Sequence, residues 1–326
     1  MQTVSLVQVV GSFSEAERSR LKAAASGAEI RFCSDADVTL DCLREANAVI
    51  GNPPRAMVEA AAGEGNLRWL QLLSSGADVY AVSDVLRSAG VTITTATGAY
   101  GVGIAEYMVA MLLGMMKQIP GYLDLQKQAL WRDLGAVVSP AGKRVLVVGT
   151  GNLGREFAKR MRPFGCELVG VRRREGRCPK EFDRVAYMAD LEEELPRADV
   201  VALCLPGTPE TFHLFDSDML ARCKPGAYLM NVGRGSVIPL DALMDASVTS
   251  RFAGIWADVL ETEPLPDGHP LFSVPNLLLT PHITGGLHLD FTRENILSIC
   301  ESNLRAWLYD VPLKNVLNWD SGYCGS

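Results

Sequence analysis

Residues 145–161 read VLVVGTGNLGREFAKRM: four aliphatic residues, a glycine-rich turn, then a charged stretch with apolar residues at helical spacing. Gly149, Gly151 and Gly154 form G-x-G-x-x-G where a strand passes into a helix. The first glycine suits a tight turn, the second lets backbone approach a pyrophosphate, and the third permits close helix–strand packing. Asn152 and Leu153 complete the turn, and the helix N-terminus supplies amides and a positive dipole end for phosphate. In this strand–turn–helix setting the stretch predicts a dinucleotide-binding site.

The following strand reads CELVGVRRREGR over 166–177. About twenty residues beyond Gly149, NAD-binding proteins of this kind place an Asp or Glu on the ribose 2′-hydroxyl. This chain has Arg172 there, followed by Arg173 and Arg174, and Glu175 lies beyond them. Guanidinium forks suit a 2′-phosphate, so NADP(H) is expected to be preferred. A solvated basic loop is the bland reading of the same arginines, and NAD(H) remains possible under it.

Outward from this core, strands are expected at Arg144–Val148, 167–171, 200–203, 227–231, 252–256 and 277–279, with helices between them. Strands alternating with helices imply an α/β protein with a doubly wound parallel sheet. Residues 1–100 show a second, smaller alternation, with strands at 4–10, 48–50, 70–73 and 91–95 and a helix at 15–25. GIAEYMVAMLLGMMK, 103–117, is apolar nearly all round and reads as a helix buried between two bodies. A second long helix at 289–308 would cross back. The expected organisation is therefore a small domain over 1–100 rejoined by 309–326, and a dinucleotide domain over 101–308 with an interdomain helix at each end.

Further constellations follow strands of the larger domain: Asn231-Val232-Gly233-Arg234-Gly235, Asp258-Val259 with Glu263-Pro264, and Thr280-Pro281-His282-Ile283. With the glycine turn and Leu205-Pro206-x-Thr208-Pro209-Glu210-Thr211, they resemble in order and spacing the D-isomer-specific 2-hydroxyacid dehydrogenases, over nearly the whole chain. The resemblance implies a Rossmann-type domain plus a smaller flavodoxin-like substrate domain. It also implies Asp258 at the nicotinamide carboxamide, Val232 beside the ring, and Cys204, Leu205 and Pro206 along the adenosine side. Leu73-Ser74-Ser75-Gly76-Ala77-Asp78 looks like the family's substrate loop, with the amides of Ser75 and Gly76 on a carboxylate. Trp131 lies in a segment like the arm through which members pair, so a homodimer is implied. Tyr100 stands where many members carry Asn, and Thr284-Gly285-Gly286 follows His282; both departures border the expected substrate pocket.

The chemistry of reducing a 2-oxoacid calls for the same residues. It requires a carboxylate anchor, a proton donor at the ketone, and a hydride from the cofactor. Arg234 offers the bidentate anchor. His282 offers the proton, and Glu263 beside it favours the imidazolium. His213, His269 and His288 lack that strand-end setting and read as structural or surface residues. The retained acid Glu263 argues against the formate dehydrogenase branch. The resemblance to glyoxylate and hydroxypyruvate reductases, which includes the arginine-bearing second strand, makes those acids the expected substrates. A different class, the superfamily's cofactor-sensing corepressors, usually carries a long unstructured tail, against which the ending LKNVLNWDSGYCGS speaks.

Composition is compatible with all of this. At 326 residues, 48% hydrophobic and 21% charged, the chain has core material for two domains. A net charge of −7 argues against general affinity for nucleic acid or anionic membrane. No apolar run reaches the roughly 18–20 residues of a membrane span, and MQTVSLVQVVGSF lacks a basic signal region. The eight cysteines show no C-x-x-C spacing, so neither a metal nor a disulfide framework is expected. A cytoplasmic location and a small-molecule partner follow as expectations.

Overall fold

The computed structural model describes residues 5–287 and 289–324. It divides into two compact units, one formed by 1–100 with 287–326 and the other by 101–286.

The first unit is built on five parallel strands: β1 Leu6–Val10, β2 Glu29–Cys33, β3 Ala48–Ile50, β4 Trp69–Gln71 and β5 Thr92–Thr94. Their order is β2-β1-β3-β4-β5, a flavodoxin-like arrangement. Alternate residues face opposite ways, so Val7, Val9, Ile50 and Trp69 enter one apolar layer while Val10, Val49, Leu70 and Ile93 enter the other. The edge strand β2 was not anticipated. Its sequence EIRFC is interrupted by charge because it is only partly buried.

The helix Asp290–Leu308 belongs to this unit, which corrects the expected boundary at 308. Ile296, Leu297, Cys300 and Leu304 are buried in the layer containing Val7, Val9 and Trp69. Arg20, on the helix Glu15–Ala24, holds it from outside through Glu294 at 2.6 Å and Glu301 at 2.7 Å. Arg293 pairs with Glu17 of the same helix. The chain then adds a short antiparallel hairpin, Leu317–Asn318 against Tyr323–Cys324.

The second unit holds seven parallel strands: β6 Arg144–Val148, β7 Glu167–Arg172, β8 Arg184–Tyr187, β9 Val200–Leu203, β10 Tyr228–Asn231, β11 Gly254–Ala257 and β12 Leu277–Leu279. The order β12-β11-β10-β9-β6-β7-β8 reverses between β6 and β9. That is the topological switch point where doubly wound sheets receive ligands, beyond the carboxyl ends of the strands. Leu146 and Val148 face one core layer, Val145 and Val147 the other. The helix Gly101–Met116 lays Met108, Leu112, Met115 and Met116 into the second of these layers, which accounts for its apolar composition. The unanticipated strand β8, RVAY, is again an edge strand. Residues Ile119–Lys127 form a short helix.

Among the described residues no single helix is long and apolar enough to cross a membrane. No group of three or more His, Cys, Asp or Glu side chains among them is arranged to hold a metal.

Candidate active site

The glycine turn leaves β6 at the switch point. Gly149 has φ +108°, and a Cβ there would lie 2.5 Å from the Cys204 carbonyl oxygen, so the position accepts only glycine. A Cβ on Gly154 would lie 2.0 Å from the Gly149 carbonyl oxygen. Gly151 is different, because nothing stands within 4 Å of its Cβ position. The space a side chain would fill is open directly at the N-terminus of the helix Asn152–Met161, whose cap makes no side-chain hydrogen bond. Uncapped amides facing an open cradle fit a pyrophosphate.

Arg172 ends β7, the strand next to the edge strand β8, and its Nη2 donates to the carbonyl of Gly176. Its Nε is buried without a partner. Arg173 approaches Glu210 at 3.9 Å, and Arg174 is exposed. The three guanidiniums therefore sit in one short loop at the carboxyl end of β7, where a 2′-phosphate would lie in such a sheet.

Since β10, β11 and β12 are adjacent and parallel, the loops that follow them emerge together at the same edge. Glu263, in the loop after β11, meets His282, in the loop after β12: Glu263 Oε2 is 2.7 Å from His282 Nδ1. The other oxygen, Oε1, accepts from the Leu260 amide at 2.7 Å, which fixes the carboxylate's orientation. His282 holds φ +52°, a conformation that costs a non-glycine residue about 1–3 kcal/mol. Its amide donates to the Asp258 carbonyl at 2.8 Å, one of the contacts that retain it there. Half of the His282 side chain is exposed, 51%.

Arg234 follows β10. Asn231, buried at the strand end, accepts from Gly233 N through Oδ1 at 3.2 Å and donates through Nδ2 to the Arg234 carbonyl at 3.1 Å. The guanidinium Nη1 donates to the Gly233 carbonyl at 2.8 Å. The next residue, Gly235, packs so tightly that a Cβ would lie 1.9 Å from the carbonyl carbon of Leu260. The Arg234 loop thus rests on the residue whose amide orients Glu263.

Other expected residues take different places. Asp258 is buried, and its carboxylate accepts from Thr280 Oγ1, Thr284 Oγ1, and the amides of Ile283 and Thr284, at 2.5–3.3 Å. Those four donors tie it to the His282 loop. Val232 and Leu205 are buried, Pro206 accepts from Thr211 Oγ1 at 2.7 Å, and burial pushes the Cys204 thiol up to about 12. In the first unit, the Tyr100 hydroxyl donates to the Leu73 carbonyl at 2.5 Å, and burial pushes it up to about 12. Tyr100 therefore braces the loop of Ser75 and Gly76. Ser75 is exposed, and its carbonyl accepts from Thr97 Oγ1 at 3.2 Å.

The histidines set aside in the sequence divide. His269 accepts from the Leu271 amide, as a local cap. His288 lies outside the described residues. His213 makes a contact that its local sequence did not announce: its Nε2 is 2.5 Å from Glu261 Oε1. The signal was present in ETEP, 261–264, where a second acid sits two residues before Glu263. Nothing in the local sequence said which imidazole it would meet.

A glycine cradle at the switch point and an acid–imidazole pair on the same sheet edge define a Rossmann-fold oxidoreductase. A family model described as D-isomer specific 2-hydroxyacid dehydrogenase, NAD binding domain, matches residues 109–284. The chain belongs to the D-isomer specific 2-hydroxyacid dehydrogenase family. It is 30% identical to glyoxylate/hydroxypyruvate reductase B of Pectobacterium carotovorum subsp. carotovorum, over 87% of this chain and 90% of that one. It is also 30% identical to the chloroplastic/mitochondrial formate dehydrogenase of Arabidopsis thaliana, over 68% of this chain and 58% of that one. Hence it spans little more than half the length of that plant relative. Among solved structures, a D-isomer specific 2-hydroxyacid dehydrogenase family protein from Aeromonas salmonicida subsp. salmonicida A449 superposes with TM-score 0.84 at 30% identity, covering 98% of this chain and all of the other. A family member from Xanthobacter autotrophicus Py2, solved with NADPH and MES, gives TM-score 0.81 at 26% identity, covering 98% and 100%.

Proposed function

We propose that the protein reduces a small 2-oxoacid, of the glyoxylate or hydroxypyruvate type, to the D-2-hydroxyacid, with NADPH preferred over NADH. The observation that carries this reading is the Glu263–His282 pair at 2.7 Å. With Nδ1 engaged, Nε2 is the ring nitrogen left to face a substrate oxygen. A nicotinamide dinucleotide held at the glycine turn would supply the hydride for the carbonyl carbon. His282 then gives its proton to the developing alkoxide, and Glu263 stabilises the charged imidazole beforehand. In the oxidative direction the imidazole takes the proton back. Arg234 holds the substrate carboxylate by paired N–H donors, which fixes the carbonyl against the cofactor. The open amides at the glycine turn hold the pyrophosphate, and Arg172, Arg173 and Arg174 supply cations for the 2′-phosphate. The NADPH in the Xanthobacter structure supports that preference.

Formate oxidation is the second reading, favoured by the likeness to the plant enzyme. It transfers hydride from carbon to cofactor and delivers no proton to an oxygen, so an oriented acid–imidazole pair has no task in it. One assay separates the two. Purified protein is mixed with NADPH or NADH and a panel of 2-oxoacids, and separately with NADP+ or NAD+ and formate. We expect turnover above about 1 per second on a 2-oxoacid. Turnover on formate alone, or on nothing in the panel, would sink the proposal.

The resemblance also supports a homodimer. Leu130, Trp131 and Val137 leave large apolar surface exposed on the single chain, with Trp131 fully exposed. Sedimentation of the wild type and of Trp131→Arg checks it, the expected outcome being a dimer and a monomer.

A further inference from the structure

The contact between His213 and Glu261 lies outside the chemistry assigned above, yet it touches the same piece of backbone. Glu261 Oε1 meets His213 Nε2 at 2.5 Å, and Oε2 accepts from the Leu240 amide at 3.0 Å. One carboxylate therefore clamps the loop after β11 to the loop after β9 and to the start of the helix Leu240–Met244. His213 is itself fixed, since its amide donates to the Ser236 carbonyl at 2.8 Å and its ring stacks on Phe212 at 3.8 Å between centroids. The guarded element is the Leu260–Glu261 peptide. That peptide is pressed by Gly235, the neighbour of Arg234, and it adjoins the Val259–Leu260 peptide, whose N–H orients Glu263.

We infer that His213 and Glu261 are positioning residues for the reduction, acting through the Leu260 amide on Glu263 and so on His282. This rests on the reading of His282 as proton donor. Both members border a groove of about 720 Å³, together with Asp216, Asp218, Asp241 and His269. The neighbouring polar groups are committed elsewhere: Asp216 caps Met219 N at 2.8 Å, Asp241 accepts from Ala242 N at 2.8 Å, and His269 accepts from Leu271 N at 3.2 Å. Glu261 is held below the ordinary carboxylate range chiefly by its hydrogen bond to His213, with desolvation opposing. A small displacement of a catalytic group can cost up to about a hundredfold in rate. Loss of the clamp should therefore act on kcat more than on binding.

The test compares wild type with Glu261→Ala, Glu261→Gln and His213→Ala. We expect kcat on the preferred 2-oxoacid to fall about tenfold or more in both alanine variants, with NADPH affinity unchanged. Glu261→Gln, whose amide oxygen can accept from the Leu240 amide while its NH2 donates to Nε2 of a neutral His213 ring, should recover most of it. In a Glu263→Gln background the Glu261→Ala change should cost little more, because the effect travels through Glu263. A merely structural role would lower thermal stability and leave these kinetic patterns untouched. An unaltered kcat, or full additivity with Glu263→Gln, overturns the inference. The readout that does not depend on turnover is the His282 Nδ1 proton resonance by NMR. It should move toward its solvent-exposed position in Glu261→Ala, and an unmoved resonance in a folded variant rejects the role even if no 2-oxoacid is ever turned over.

Discussion

In the proposed reduction His282 gives the proton to the forming alkoxide, and Glu263, 2.7 Å from its Nδ1, sets the orientation of the ring. His282→Asn should lower kcat by about 100-fold or more, the usual contribution of general acid catalysis, while NADPH affinity measured by fluorescence quenching stays within a factor of two or so. Retained kcat would place the donor elsewhere. At Arg172 the buried, unpartnered Nε and the contact to Gly176 describe a guanidinium folded into its own loop. Arg172→Asp should move the ratio of kcat/KM for NADPH over NADH toward NADH by tenfold or more, because a carboxylate repels a 2′-phosphate and accepts from a 2′-hydroxyl. An unchanged ratio would show the arginines to be surface charge. Residue identity was legible in the sequence wherever a motif fixed both type and spacing, as at Gly149, Gly154, Glu263 and His282. It was not legible at Asp258 and Tyr100, whose side chains turn to loop and backbone partners that only folding supplies.

At the scale of elements, the strand–turn–helix from β6 into Asn152–Met161 is closely packed at two of its glycines, Gly149 and Gly154. Gly154→Ala would set a methyl 2.0 Å from the Gly149 carbonyl, so either the helix backs away or the turn opens. Such overpacking costs about 1–3 kcal/mol. We expect a lowered Tm and a dinucleotide Kd raised at least tenfold, both measurable in one thermal-shift titration with NADPH; an unaffected Kd would mean the turn does not hold the pyrophosphate. The strands that sequence reading found include all the central ones, whose buried faces produce continuous aliphatic runs, together with the edge strands β5 and β12. Those it missed, β2 and β8, are edge strands interrupted by charge, Arg31 pairing with Glu29 and Arg184 with the buried Glu194. Edge position is a property of the sheet, absent from the five or so residues that form the strand.

For the whole molecule, the final helix belongs with the first unit, and the pair of Glu17 with Arg293 helps to fasten it. The hydrogen bond from Arg293 lowers the Glu17 carboxyl from 4.5 to about 2, with desolvation opposing. A carboxylate depressed in the folded state stabilises it above the ordinary value and loses that contribution as pH falls toward the folded value. Wild-type Tm should therefore drop between pH 4.5 and 2 more steeply than that of Glu17→Gln, which should be less stable than wild type at pH 7. Equal slopes in calorimetric scans would remove this pair from the acid transition. What the sequence determined by itself was everything carried by local period and motif: two α/β bodies, a glycine turn at a strand end, an acid, an imidazole and a guanidinium each placed after a strand. What only the tertiary structure decided was pairing across distance: the allegiance of Asp290–Leu308, the capture of Asp258 by the His282 loop, and the meeting of His213 with Glu261. The physical reason is that a strand's periodicity reports whether its faces are buried. The partner of a polar side chain depends on which loops the strand order brings to the same edge of the sheet.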